Sequence, residues 1–509
     1  MSHNQTKDRA EESAATEKLD NLAVITQTLS PIQSGKHCWE IAARPPMRVP
    51  ARIFTDWEGM KGLLDDLEEK EWSALRQLTN VTVLPGIVKA ALAMADVHPG
   101  YGFPIGGVAA FDVETGTVSL AGVGFDINCG MRALRTPLTR DQLIGKEQAL
   151  LEGLYADIPA GLGSTGKLVL EQEELDRILT GGAPEIVALG FGLPEDLEYI
   201  EEGGVIQAAD PEAVSATAKK RQRKEVGTLG AGNHYVEVQV IDQIYDNSAA
   251  AAYGISTDQI LVTFHTGSRA LGHQIGNDYQ PILEAATKKY GIEVPDRELI
   301  CAPIQSPEGQ QYLRAVRAGA NCAFANRQML AHMIRQTIAR VMEIPEGEIE
   351  TLYEVCHNTA KQERHVVDGV ERELLVHRKG ATRAFGPGRP EVPERYRGVG
   401  QPVLVGGTMG TMSYVLRGTA LGMVETFGSA LHGAGRAMSR RQAGKQWRSD
   451  QITRELRDRG ILVRAHGRRS LAEEAPGAYK DAERVVQIMA EAGIIAPVAR
   501  VRPLVCIKG

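Results

Sequence analysis

No two of the six cysteines (Cys38, Cys129, Cys301, Cys322, Cys356, Cys506) share a short paired spacing in this 509-residue chain. That excludes a disulfide scaffold and any CxxC redox or zinc pair, and it suits a reducing compartment. No run of about 18 uncharged apolar residues occurs, so no helical membrane span is expected. The first twenty residues, MSHNQTKDRAEESAATEKLD, lack the apolar core of a signal peptide. There is no fixed-period repeat and no Pro/Ser linker tract. GxxxxGK[ST] is absent, as are a GxGxxG after a strand pattern, HExxH and an EF-hand loop, so the common phosphate cradles and metal motifs do not apply. Large net charge is lacking too: 57 Lys and Arg against 64 Asp and Glu leave −7. A general nucleic-acid coat gains no support from that total, although a local basic groove remains open. These absences describe a cytoplasmic protein without membrane contact, and a monomer is the default expectation.

Hydrophobic content of 43% and charged content of 24% are ordinary for a globular chain. Length alone suggests about three domains. The motifs that carry chemistry are spread from His98 to Lys508, however, and can meet only within one folded unit. One large α+β domain over 26–509 is therefore expected, preceded by a disordered polar tail over 1–25. Residues 83–130 are rich in glycine and apolar side chains and read as short strands joined by glycine turns. Residues 311–343 carry a helical period for one or two buried-face helices, and 419–441 suggest another, opening near Gly418 and running past HGAGR. Residues 171–212 hold twelve acids and one base, Arg177, which reads as an acidic surface insertion, helical in part. KKRQRK follows at 219–224, and a solvated face is as good a reading of it as a functional one. Residues 436–469 hold eleven Lys or Arg and three acids, a basic excess on an acidic chain.

Five of the twelve histidines sit in glycine-rich or otherwise tight settings: His98 in DVHPGYG, His234 in GAGNHYVE, His265 in FHTGSR, His357 in EVCHNTA and His432 in LHGAGR. Glycine permits close approach of backbone to a ligand. FDINCG adds Asp126 and Cys129 three residues apart on a tight loop. A carboxylate, a thiolate and several imidazoles together suit a borderline transition metal, and a thiolate can bridge two ions. Taken singly, a histidine or cysteine is more often a packed core residue than a ligand. The small-residue loops VGGTMGTMSYVLRG (405–418) and HGAGR (432–436) precede or open helical stretches, where free backbone N–H groups suit phosphate oxygens. Glycine turns packed against a sheet are the alternative.

DVHPGYGFPIGGVAAF, GVGFDINCGMR, GTLGAGNHYVEV, HTGSR, HN, RKGATRAFGPG, GTMGTMSYVL, HGAGR and a terminal IKG follow one another in that order. Together they resemble the RtcB family of GTP-dependent RNA-splicing ligases, from about residue 30 to Gly509. The resemblance implies β-sheets packed together and flanked by helices around a central metal and nucleotide cleft. It implies an enzyme that joins a 3′-phosphate or 2′,3′-cyclic phosphate RNA end to a 5′-hydroxyl, in tRNA splicing or RNA repair. Two Mn²⁺ ions would be held by Asp126, Cys129, His234, His265 and His357. His432 would be the nucleophile, attacking the α-phosphorus of GTP to leave a His–GMP phosphoramidate, which would pass GMP to the RNA 3′-phosphate. GTP would be contacted by Asn233, Glu237, Asn358, Thr408, Ser413, Gly435, Tyr479 and Lys508, with Glu237 and Lys508 reading guanine. Arg269 and Arg440 would lie near the RNA end, and the basic 436–469 segment would follow its backbone. An activating protein partner is compatible with this reading. The chain departs from the family pattern at Ala270, where glycine is usual, and at Thr408, where serine is common. Two other classes of function remain: a dimetal phosphatase or nuclease, and an RNA-end binding factor with a vestigial site. The first leaves His432, Glu237 and Lys508 without a task.

Overall fold

Two large sheets hold most of the strands of the computed structural model, which describes residues 29–70, 72–467 and 470–509. The expected tail over 1–25 lies outside the described residues. Ile87–His98 and Ile105–Asp112 form the centre of a seven-stranded sheet, continued by Val370–Lys379 and Thr359–Val367 on one side. Both central strands are mostly apolar and buried along nearly their whole length, as suits strands covered on both faces. The second sheet has eight strands. Its order runs Glu350–Cys356, Gly130–Thr139, Gln259–Thr266, Tyr235–Ile244, Ile495–Lys508, Ser413–Gly418 and Pro402–Val405, and Leu462–Ala465 pairs in parallel with Ile495–Lys508. One apolar cluster joins Leu92, Val108 and Val376 of the first sheet to Val405 and Leu416 of the second. The sheets thus pack on a shared core with helices outside, an α+β arrangement as expected.

A single 36-residue helix, Pro307–Met342, takes the place of the one or two expected over 311–343. Ser306 caps it, its hydroxyl accepting from the Gly309 N–H at 3.0 Å, and Pro307 supplies the fixed φ of a first helical residue. Its buried face is not purely apolar. Arg327 donates to the carbonyls of Asn128 (2.7 Å) and Thr266 (2.9 Å). Asn326 accepts from the N–H groups of Gly227 (2.8 Å) and Thr228 (3.1 Å) and donates to the Gly267 carbonyl (3.1 Å). Helix side chains thereby satisfy the buried backbone of the loops that carry Cys129 and His265.

Two sequence expectations need correction. The helix expected over 419–441 covers only Ala420–Thr426. It stops where Phe427 turns left-handed at φ 52, the chain enters strand Ser429–Leu431, and HGAGR is loop. The acidic 171–212 stretch is helical in part, with Gln172–Gly181 and Ala183–Ala188, but two of its acids are not solvated. Asp196 is buried against Arg335, also accepting from Gln328 (2.9 Å) and Thr351 (2.6 Å), and Glu201 is buried against Lys361 at 2.6 Å. Paired charges lose most of the penalty that keeps single ones at the surface. Asp196→Ala leaves Arg335 buried without its carboxylate and is expected to destabilise the fold by about 3–5 kcal/mol. Urea unfolding measures this, and a loss below about 1 kcal/mol would contradict the account of that pair.

Candidate active site and metal centre

Four neighbouring strands of the eight-stranded sheet bring their ends to one edge, and each end carries a candidate ligand. His357 follows Glu350–Cys356, Cys129 precedes Gly130–Thr139, His265 lies next to last in Gln259–Thr266, and His234 precedes Tyr235–Ile244. Register makes the convergence strict: Gly130 faces both Cys356 and Thr266, while His265 faces both Met131 and Tyr235. Asp126 reaches the same edge from the FDINCG turn, where Asn128 takes a left-handed φ of 53. Cys129 Sγ lies 3.3 Å from His234 Nε2 and 3.1 Å from His265 Nε2. His265 Nε2 is 3.1 Å from His357 Nε2, and His234 Nε2 is 3.0 Å from Asp126 Oδ2. Two triads result, Asp126–Cys129–His234 and Cys129–His265–His357, with Cys129 common to both.

The outer nitrogens fix what the inner ones can do. His234 Nδ1 lies 2.9 Å from the Leu229 carbonyl and His265 Nδ1 3.4 Å from that of Asn233, so each Nδ1 is anchored as a donor to backbone and each Nε2 is the nitrogen turned inward. Burial first, then the neighbouring imidazoles, pushes His265 and His357 well below the usual histidine range, so both are neutral. Burial tends to raise Asp126, but the hydrogen bond and charge of His234 outweigh it and hold the carboxyl down at about 2. Burial and the adjacent Asp126 push the Cys129 thiol well up. A carboxylate, three inward-facing imidazole Nε2 atoms and a thiol make up the centre. A divalent cation satisfies such a set and turns the thiol into a thiolate. Gly267 shows how tightly the cradle is built, since a Cβ there would lie 2.2 Å from Asp126 Oδ1.

Next to the metal cradle lies His432, its ring centroid 4.8 Å from that of His357. Asp96, fully buried on strand Ile87–His98 of the other sheet, accepts from His432 Nδ1 at 2.7 Å and from the His432 backbone N–H at 3.2 Å. That bond places the proton on Nδ1 and leaves Nε2 as the free lone pair. The HGAGR loop can close on Asp96 only because Gly435 has no side chain: its φ is 74, and a Cβ would sit 2.2 Å from the Asp96 carbonyl oxygen.

A cavity of 480 Å³ opens between the sheets over this centre. Asp126, Cys129, His265, His357 and His432 line it, together with Asn233, Glu237, Asn358, Thr408, Gly435, Arg440, Tyr479 and Lys508. Three predicted residues stand outside its lining. His234 is behind Cys129 and Asp126. Ser413 is buried one layer deeper, its hydroxyl accepting from the Gly407 N–H at 2.9 Å. Arg269 is turned to Thr228 (2.9 Å) and Glu225 (3.5 Å). Within the lining, burial pushes Glu237 up to about 7 against the opposing pull of the Lys508 ammonium, and Gln239 donates to it at 2.7 Å. Lys508 is buried and in register with Tyr235, so the chain end is a strand end and not a frayed tail. Glu474 gathers Arg436 (3.2 Å), Arg440 (2.7 Å) and the Tyr479 hydroxyl in the same lining, within reach of the Lys508 charge.

Sequence reasoning passed over Asp96, Lys379, Lys480 and Glu474. Asp96 had a signal, an acid in the apolar strand sequence ALAMADVH two residues before His98. His98, noted for its glycine-rich setting, lines the cavity, and its Nδ1 lies 2.9 Å from the Asp96 carbonyl. Lys379 ends strand Val370–Lys379 in a buried position that pushes its ammonium down to about 7. Among the described residues no helix is long and apolar enough to cross a membrane.

Known proteins share this sequence closely. The family described as tRNA-splicing ligase RtcB matches residues 77–509. A tRNA-splicing ligase RtcB of Thermococcus kodakarensis is 50% identical over 474 residues, covering 92% of this chain and 97% of that protein. The protein of that name from Methanococcus maripaludis is 46% identical over 487 residues, 95% of this chain and 100% of that one. One from Archaeoglobus fulgidus is 49% identical over 475 residues, 92% and 97% of the two chains. Fold, ordered motifs and these matches agree: the chain belongs to the RtcB family.

Proposed function

We propose that this chain is an RNA ligase of tRNA splicing or RNA repair that uses GTP and two Mn²⁺ ions to join a 3′-phosphate or 2′,3′-cyclic phosphate end to a 5′-hydroxyl. The observation that carries this reading is His432: an imidazole with Nδ1 held by Asp96 and Nε2 free, its ring centroid 4.8 Å from that of His357 in the donor cluster. A dimetal hydrolase that acts through activated water leaves this nucleophile without a task, which favours nucleotide transfer over the phosphatase or nuclease reading. His432 Nε2 attacks the α-phosphorus of GTP, the bond to pyrophosphate breaks, and His432–GMP remains. An RNA 3′-phosphate oxygen then displaces His432 and takes the GMP, forming a pyrophosphate between the RNA end and guanosine. The 5′-hydroxyl of the second strand attacks the RNA-side phosphorus, and GMP leaves. Asp96 holds the Nδ1 proton throughout and balances the positive charge that the imidazole gains on guanylylation. Asp126, Cys129, His234, His265 and His357 would hold the metal ions, which screen triphosphate charge and polarise phosphoryl oxygen.

Glu237 and Lys508 both line the cavity and suit guanine: the carboxylate would accept from N1–H and the N2 amine, and the ammonium would donate to O6 or N7. Glu237→Ala is expected to cut the preference for GTP over ATP by about a hundredfold while slowing transfer less. Retained selectivity would remove Glu237 from the base site. Since Glu237 takes up a proton near pH 7, the KM for GTP should rise as pH falls through about 7. The reaction itself is tested with one RNA ending in a 2′,3′-cyclic phosphate and a second beginning with a 5′-hydroxyl, in Mn²⁺ with GTP or ATP. Joining with GTP alone is the expected result, and phosphate release without joining would favour the hydrolase.

A further inference from the structure

We infer that Arg327 is a positioning residue for one of the two metal sites: its guanidinium fixes the spacing of the three segments that carry Cys129, His265 and His357. The inference rests on the reading of those side chains as metal ligands and adds the group that holds them at binding distance from one another.

Arg327 is fully buried within helix Pro307–Met342. Its Nη1 donates to the Asn128 carbonyl at 2.7 Å and to the Thr266 carbonyl at 2.9 Å. Its Nη2 donates to Cys356 Sγ at 3.3 Å. Each partner is the chain neighbour of a ligand: Asn128 of Cys129, Thr266 of His265 and Cys356 of His357. The three bonds therefore reach every member of the Cys129–His265–His357 triad, segment by segment. His234, which belongs to the other triad, is held separately, since Asn326 accepts from Gly227 and Thr228 of its loop. Sheet pairing does not fix the spacing by itself. The ladder between Gly130–Thr139 and Gln259–Thr266 ends at the Gly130–Thr266 pair, and the Asn128 carbonyl lies beyond it. One nitrogen of Arg327 holds that carbonyl and the Thr266 carbonyl together.

The chemistry of the group suits the task. A guanidinium is planar and presents its donors in a rigid fork, so the acceptors it binds are set at fixed separations. Glu354 orients the fork, with Oε1 2.8 Å from Arg327 Nε, and its other oxygen is held by Arg132 at 2.5 Å. Gly130 makes room for it: a Cβ there would lie 3.3 Å from the guanidinium carbon and 2.4 Å from the Val355 carbonyl oxygen. A shared ion binds well only while its donor atoms stay within about half an ångström of their required positions. A group that served only to satisfy buried carbonyls would steady the fold without favouring one metal site over the other.

The test measures Mn²⁺ affinity of metal-stripped protein, from the loss of the free ion's paramagnetic resonance signal, in two backgrounds that each keep one site. Asp126→Ala keeps the Cys129–His265–His357 site, and His357→Ala keeps the Asp126–Cys129–His234 site. Arg327→Lys retains the charge and loses the fork. It should weaken binding about tenfold to a hundredfold in the first background and less than about threefold in the second. Cys356→Ala removes one of the three bonds and leaves every charge paired, and it should weaken the first site by about tenfold. Cys356→Ser supplies a hydroxyl acceptor and should bring affinity back to within about threefold of the background. The Cys356 pair decides the matter if Arg327→Lys does not fold. Arg327→Lys effects of equal size in both backgrounds, or a Cys356→Ser variant no better than Cys356→Ala, would overturn the inference. A wild type or a single-site background that binds no Mn²⁺ would instead remove the ligand assignment beneath it.

Discussion

Cys129→Ala is expected to lose both metal ions and every chemical step while keeping its fold. Cys129 is the member common to the two triads, so its removal opens both sites at once. Loss of an outer-sphere partner already costs tenfold to a hundredfold in metal affinity, and loss of a shared inner ligand should cost more than about a hundredfold. The fold should tolerate the change, because alanine fills most of the buried volume and the bracing bonds from Arg327 and Asn326 go to backbone groups. Metal content after dialysis, read by mass spectrometry beside a melting curve, checks this. A variant that keeps two Mn²⁺ ions and ligates at the wild-type rate would refute the metal assignment.

His432→Ala is expected to abolish joining of 3′-phosphate ends, by more than about 10⁴-fold, with metal content unchanged. The variant should still join an RNA that already carries a guanosine pyrophosphate at its 3′ end, within about tenfold of wild type. In that substrate the activation has been done, and the remaining attack by the 5′-hydroxyl does not pass through His432. Unequal losses on the two substrates separate a nucleophile from a packing residue. Equal loss on both, with metals in place, would give His432 another role.

The site's ingredients were legible in the sequence because glycines mark where backbone and ligand must approach closely, and FDINCG put Asp126 and Cys129 on one turn. Their meeting was not. It depends on a strand order in which Glu350–Cys356, Gly130–Thr139, Gln259–Thr266 and Tyr235–Ile244 lie side by side, and no local pattern encodes that order. Asp96 stood inside a recognised motif, but its task exists only once HGAGR, 336 residues later, folds onto it. HGAGR itself looked like helix because Ala420–Thr426 leads toward it with helical spacing. The left-handed Phe427 and the close approach of Gly435 to Asp96 decide otherwise. Asp196 and Glu201 sat in an acid-rich stretch that composition alone sends to the surface. Arg335 and Lys361, far along the chain, draw them inward.

The central claim is that His432 Nε2 carries GMP. The direct measurement is incubation of the purified protein with Mn²⁺ and α-labelled GTP, followed by denaturing electrophoresis and an acid wash. The account predicts label that survives denaturation, is lost in acid as a phosphoramidate must be, and is absent from His432→Ala. Wild-type protein that binds Mn²⁺ but takes no label, or a His432→Ala variant that labels normally, would contradict it.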